Sequence, residues 1–170
     1  MTAQTRLQGR VWKFGDDIST DHIIAGRYLT SVDPKVLSEH VMENVDPQFV
    51  KKVQAGDVIV AATNFGCGSS REQAPLALKA AGISCVAANT FARIFYRNAI
   101  NIGFPVVECP GLHERVKEGD VITVDLAAGH IVLASGATVP FQPLPPNILQ
   151  ILNAGGLVPK LRAELAAKST

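Results

Sequence analysis

The segment Asn64-Phe65-Gly66-Cys67-Gly68-Ser69-Ser70-Arg71-Glu72 sets two glycines, two hydroxyls and an arginine just ahead of a helix-forming stretch. These residue types suit the capture of an anion with chemistry beside it. The first N–H groups of a helix lack intrahelical partners and sit at the positive end of its dipole, so a carboxylate or phosphate is attracted there. Gly66 and Gly68 let the main chain approach such a ligand closely. Arg71 offers a permanently charged fork suited to gripping one carboxylate with two bonds. Ser69 or Ser70 is expected to act as N-cap, and Pro75, tolerable only in the first turn, puts the helix start near Ser70. A purely structural strand-to-helix turn competes with this reading of the segment taken alone. A Walker-type phosphate loop fits less well, because its Lys-Ser/Thr pair is absent and Arg71 stands where the last glycine of G-x-G-x-x-G belongs.

Such a loop needs rigid elements on both sides. Upstream, Val58–Ala62 is a β-branched apolar run bounded by turn residues, and downstream 71–81 has helical composition. Strand 83–88, helix 90–101 and strand 105–108 follow, which makes a βαβαβ unit with parallel strands. Earlier, Arg10–Phe14 alternates like an opening strand and leads into a polar turn over 15–22, while Asp33-Pro34 and Asp46-Pro47 predict short helices over 34–43 and 47–53. Beyond Gly119-Asp120 the pattern becomes antiparallel: Val121–Leu126 and His130–Leu133 flank Ala127-Ala128-Gly129 as a hairpin would. Ile148, Leu149, Ile151 and Leu152 recur at helical spacing up to Gly155-Gly156, and Leu157, Leu161 and Leu165 suggest a last amphipathic helix. The expectation is one α/β domain over 1–170 with a mixed sheet and flanking helices.

The chain has 170 residues, 18% charged, with a formal net charge of +1. That balance points to neither nucleic acid nor an anionic membrane, so anion recognition must be local. No apolar run approaches the roughly 20 residues that span a bilayer. Cys67, Cys85 and Cys109 are odd in number, lack C-x-x-C spacing and follow no secretory leader pattern, which favours a reducing cytoplasm. They cannot build a metal centre by themselves.

Other constellations carry less. Cys67 with His22 as a thiol nucleophile and base lacks the usual sequence context. Cys85 and Cys109 read as core residues. His40, His113 and His130 have no metal-ligand spacing, and Asp16, Asp17 and Asp21 lack the spacing and closing glutamate of a calcium loop. Arg93, Phe95, Tyr96 and Arg97 look like a basic-aromatic stripe for nucleic acid, but neighbours on a helix lie about 100° apart, so an aromatic should turn inward.

Three segments together, Gly15–Ile24, Asn64–Glu72 and Phe91–Asn101, resemble the swivelling-domain family of the aconitases. The form they resemble is the separate small subunit of isopropylmalate and homoaconitate dehydratases, and the resemblance reaches the closing Ala154-Gly155-Gly156-Leu157. It implies a layered, swivelling β/β/α domain and a hydro-lyase of the branched-chain, leucine-forming pathway that moves a hydroxyl between adjacent carbons by dehydration and rehydration. It implies Ser69 as the base, used as an alkoxide, and Asp21 as a second catalytic residue near the leaving hydroxyl. Ser70, Arg71, Gly68, Thr20 and Thr30 would bind substrate, and His22, Arg27, Arg93 and Asn98 would support them. Arg93 and Asn98 are expected to brace the serine loop through hydrogen bonds. The implied cofactor is an iron-sulfur cluster held by the large partner subunit, with none bound by this chain. The implied ligand is a small hydroxy-dicarboxylic acid, and self-association of the isolated chain stays open.

Two departures from the family pattern stand out. Gln73 follows Arg71-Glu72 where relatives often have histidine, and a glutamine cannot titrate. In Tyr28-Leu29-Thr30-Ser31, Thr30 replaces the arginine with which homoaconitase-like relatives meet an extra carboxylate, although Arg27 is near. An apolar-tailed substrate such as isopropylmalate is therefore expected over homocitrate or homoaconitate, with dimethylmalate and citramalate as alternatives. A self-contained anion- or nucleotide-binding module is the reading from a different class.

Overall fold

The computed structural model describes residues 4–170. In chain order the elements are β1 (Arg6–Lys13), α1 (Thr20–Ile23), α2 (Pro34–Ser38), α3 (Phe49–Lys52), β2 (Val58–Ala61), α4 (Gln73–Ala80), β3 (Cys85–Ala88), α5 (Arg93–Asn101), β4 (Val106–Glu108), β5 (Val121–Asp125), β6 (His130–Val132), β7 (Thr138–Pro140), α6 (Pro146–Asn153) and α7 (Leu157–Lys168). The strands form one seven-stranded sheet in the order β4-β3-β2-β1-β5-β6-β7. β1 pairs in parallel with β2 and antiparallel with β5, so it joins a parallel half to an antiparallel half. The layered α/β arrangement with a mixed sheet is the one anticipated.

The apolar runs of β2 and β3 have no polar face because both of their faces are covered. Trp12, Ile59, Ala61, Val86, Ala88 and Val106 pack into one core with helix residues Leu37, Phe49, Leu78, Phe95 and Ile100. Their alternating neighbours Val11, Val58, Val60, Cys85, Ala87 and Val107 pack into a second core with Ile122, Val124, Ile131 and Val139 of the antiparallel half. Helices, parallel strands and antiparallel strands thus stack as three layers. Asp57, immediately ahead of β2, is a buried anion, accepting from the Trp12 indole at 2.8 Å, the Gln54 N–H at 2.9 Å and the Arg10 guanidinium at 3.0 Å.

Several boundaries differ from expectation, each for a local reason. The polar turn over 15–22 ends in a helix, α1, because Ser19 Oγ accepts the His22 N–H while His22 Nδ1 accepts the Ser19 N–H. This is a capping box with histidine in the glutamate position. α2 stops at Ser38 because the chain reverses there, with Met42 in the left-handed region (φ +61°) and its N–H on Ile23 O. α3 begins only at Phe49, although Asp46 caps the preceding turn by accepting the Gln48 N–H. β7 had no counterpart in the sequence reading.

Candidate active site

Because β1 and β2 are parallel neighbours, the loops that leave their carboxyl ends emerge side by side, as ligand-binding loops of such sheets do. Their main chains then join: Gly66 N–H donates to Ile18 O at 2.7 Å and Thr20 N–H to Cys67 O at 2.8 Å. The third motif enters through Phe65 and Phe91, which form a parallel bridge. All three segments singled out in the sequence therefore meet at one place.

α4 opens later than the serines. It starts at Gln73, its N-cap Glu72 already has helical angles, and no side chain caps it. Neither Ser69 nor Ser70 is the N-cap, which corrects that expectation. Pro75 is still harmless, since as the third helical residue it lacks an N–H that would be unpaired in any case. The consequence is that both hydroxyls are spared capping and remain exposed. Ser69 and Ser70 border a pocket of about 320 Å³ together with Thr20, Gly68, Arg71 and the first turn of α5. The N–H groups of Gly68, Ser69 and Ser70 meet no acceptor among the described residues, leaving them available to an anion.

Gly66 and Gly68 hold φ of +83° and +94°, where side chains are strained. At Gly66 a Cβ would lie 2.2 Å from Cγ of Phe95. Phe95 is itself wedged edge-on to Phe65 and stacked with Phe91. The serine loop thus rests on an aromatic floor supplied by α5. Phe95 was read in the sequence as part of a stripe; its role as floor was not, although a glycine opposite an inward aromatic was the available signal. Its burial takes Phe95 out of that stripe, as helical geometry required, while half-buried Tyr96 stays beside Arg93 and Arg97.

Arg71 links the two loops. Its Nη1 donates to Asp21 Oδ1 at 3.0 Å and to Ile24 O at 2.9 Å, while Nε and Nη2 take no acceptor among the described residues. The arginine is 17% exposed and the aspartate 62%. The Arg71 hydrogen bond and charge hold the Asp21 carboxyl below its usual range, helped by the Gly26 N–H. Asn44, unremarked in the sequence, supports Asp21 from behind by donating to its carbonyl at 3.1 Å.

The remaining predicted residues divide. Arg93 lines the pocket, but neither it nor Asn98 hydrogen-bonds the serine loop among the described residues. The bracing expected of them comes instead from Thr20, whose hydroxyl donates to Ser69 O at 2.8 Å. His22 is spent on capping α1 and lies outside the pocket lining. Arg27 pairs with Glu43 and lies 4.8 Å over the Tyr28 ring, so its charge is already met. Thr30 is exposed on the loop after that turn and does not border the serine pocket. Gln73 donates to Leu29 O at 3.3 Å, tying the start of α4 to the loop carrying Thr30.

Burial, with the Asp17 charge adding to it, pushes the Cys67 thiol up, and the Nδ1 of His22 is occupied. A thiolate nucleophile partnered by His22 is thereby removed. Burial pushes Cys85 to about 12 and Cys109 to about 11. With thiols dispersed and two of them buried, no group of three or more His, Cys, Asp or Glu among the described residues could hold a metal ion. The residues present do not fit an iron-sulfur cluster. No helix among the described residues is long and apolar enough to cross a membrane.

Comparison with known proteins bears on family and fold. Residues 17–110 match the model of the aconitase C-terminal domain, a stretch that contains the second and third motifs whole and the first from Asp17 onward. A protein of Methanopyrus kandleri named 3-isopropylmalate dehydratase small subunit 1 is 57% identical, over 93% of this chain and 94% of its own. The isopropylmalate/citramalate isomerase small subunit of Methanocaldococcus jannaschii is 54% identical over 94% and 96%. A crystal structure of 3-isopropylmalate dehydratase from Methanocaldococcus jannaschii superimposes with a TM-score of 0.91 at 46% identity, covering 96% of this chain and 98% of that one.

Proposed function

The chain belongs to the aconitase C-terminal domain family, on the branch of the dehydratase small subunits, and from that premise we propose that it is the small subunit of a 3-isopropylmalate dehydratase. It acts on a small hydroxy-dicarboxylic acid in a reducing, cytoplasmic setting, as one domain over its whole length. Its partner is a large subunit that carries the iron-sulfur cluster. When bound there, that cluster would supply Lewis-acid chemistry to the departing hydroxide.

This chain contributes the base and part of the carboxylate grip. Ser69 Oγ, as an alkoxide, takes the proton from the carbon next to a carboxylate, and the electron pair of that C–H bond becomes the new C=C bond as hydroxide leaves the neighbouring carbon. A water then gives its hydroxide to the other carbon while its remaining proton neutralises the hydroxide that left, and Ser69 returns its proton to the carbon from which that hydroxide departed. Main-chain N–H groups around the serine favour the anionic oxygen in a site closed from water. Ser70, the N–H of Gly68 and the free Nε and Nη2 of Arg71 hold a substrate carboxylate. Asp21, kept ionised by Arg71, orders the water and the partner's groups at the leaving hydroxyl. Thr30 borders the variable tail, and with Arg27 already paired to Glu43 the loop has no spare cation for a third carboxylate. This favours isopropylmalate over homoaconitate; dimethylmalate and citramalate share its lack of a charged tail.

The observation that carries the reading is Ser69 itself: an exposed hydroxyl on the rim of a pocket, freed from capping duty and flanked by an arginine with unspent donors. The test is reconstitution with a cluster-loaded large subunit. Hydration of the unsaturated acid is expected only with both chains, and Ser69→Ala is expected to lower kcat by about 10³-fold or more with assembly intact. Activity of the large subunit alone, or wild-type kcat in Ser69→Ala, would refute it.

A further inference from the structure

Thr20 is 3% exposed, and its hydroxyl proton, the only one it has, is given to Ser69 O at 2.8 Å. The Thr20 N–H meanwhile donates to Cys67 O at 2.8 Å. One residue therefore binds the carbonyls on both sides of Gly68. That glycine is the pivot of the loop: it has no side chain, its φ is +94°, and a Cβ placed on it would stand 3.4 Å from Thr20 Oγ1. A rotation at Gly68 that re-aims the next residue, Ser69, must break one of the two Thr20 bonds. One residue further along, Asp21 is tied to Arg71. Thr20-Asp21 and Ser69-Ser70-Arg71 consequently close a ring that fixes the serine hydroxyl relative to the aspartate.

We propose that Thr20 is a positioning residue for proton transfer, stapling the main chain across Gly68 so that the Ser69 hydroxyl is held at the reacting carbon. This replaces the substrate-binding role expected for Thr20 and rests on the assignment of Ser69 as base. Preorganisation of this kind matters most for the chemical step, where a misplacement of about 1 Å costs about 10²-fold. Substrate affinity, set by Arg71, Ser70 and the loop amides, depends on it less.

The reconstituted two-subunit enzyme tests the role with Thr20→Val, which keeps the shape and removes the hydroxyl, alongside Thr20→Ser, Thr20→Ala and Ser69→Ala. Thr20→Val is expected to lower kcat by about 10²-fold while KM stays within about threefold of wild type. Deuterium at the abstracted position should slow Thr20→Val more than wild type, because proton removal becomes the slower step. Thr20→Ser should recover most of kcat. If Thr20→Val does not assemble, Thr20→Ala against Thr20→Ser gives the same comparison, since the two differ by one oxygen. A residue needed only for folding would reduce the amount of complex and leave kcat per site and the isotope effect unchanged, and that result overturns the proposal. So does a loss confined to KM. If Ser69→Ala is inactive while Thr20→Val matches wild type, the positioning role alone falls; if Ser69→Ala turns over normally, the assignment of the base falls with it.

Discussion

Replacing Gly66 by alanine separates the two reasons a glycine stands under the serine loop. One reason is backbone: at φ +83° an L-residue is strained by about 1–2 kcal/mol. The other is contact: the added Cβ would meet Cγ, Cβ and Cδ2 of Phe95 at 2.2, 2.4 and 2.7 Å. Phe95 cannot swing away, being 2% exposed and held by Phe65 and Phe91. Forcing a methyl into a packed site of this kind costs about 1–3 kcal/mol more. The sum, about 2–5 kcal/mol, is a large share of the stability of a domain this size, about 5–15 kcal/mol. Thermal unfolding followed by circular dichroism should register it as a fall in Tm of about 4–20 °C, at about 2–4 °C per kcal/mol for this length. Gly111 supplies the control, because its φ is +87° but nothing lies within 4 Å of its Cβ position. Gly111→Ala should lose only the backbone share, about 2–8 °C. Equal losses in the two variants would refute the aromatic floor as the reason for Gly66.

Other outcomes follow from single features. The Asp57 carboxyl is pushed up by burial but more strongly down by the Gln54 N–H, the Trp12 indole and Arg10, so it lies below its ordinary value of 3.8. Its contribution is therefore complete above that value and lost as pH falls through the lower native one; Asp57→Asn should cost about 1–2 kcal/mol at neutral pH and flatten the acid arm of urea-measured stability below about pH 4. With Cys85 and Cys109 raised to about 12 and about 11 by burial, a thiol reagent at neutral pH should leave both untouched in the folded chain, reach the half-buried Cys67 slowly, and label all three in denaturant. Mass spectrometry showing rapid native labelling of Cys85 would contradict the buried core. Thr30→Arg should raise kcat/KM for homoaconitate relative to isopropylmalate by about 10-fold or more, and an unchanged ratio would remove Thr30 from the tail site.

Patterns of neighbouring residues were legible, and contacts between distant ones were not. β2, β3 and their flanking helices show in the sequence because burial on both faces forces continuous apolar runs, and the β5–β6 hairpin shows through its turn residues. The serine loop was legible as a place for an anion because glycine and arginine have few other reasons to be adjacent to a helix start. Its geometry was not: whether Ser69 caps α4 depends on where the helix begins, and one extra turn ahead of Gln73 decides that. α1 escaped because histidine rarely closes a capping box. Thr20 to Ser69 and Arg71 to Asp21 span 49 and 50 positions, beyond any local pattern. The left-handed Met42, which lets its segment reach Ile23 and Asp21, is a conformation that methionine does not advertise.

The change of strand direction at β1 has a practical use. Arg6 is paired with Asp125, so the β5–β6 turn hangs from the end of the sheet opposite the carboxyl ends of β1 and β2. Ala127 and Ala128 at its tip are exposed, and the turn is closed independently by Asp125 accepting the Ala128 N–H at 2.9 Å. A dye or affinity handle attached there sits at the end of the sheet away from the serine loop.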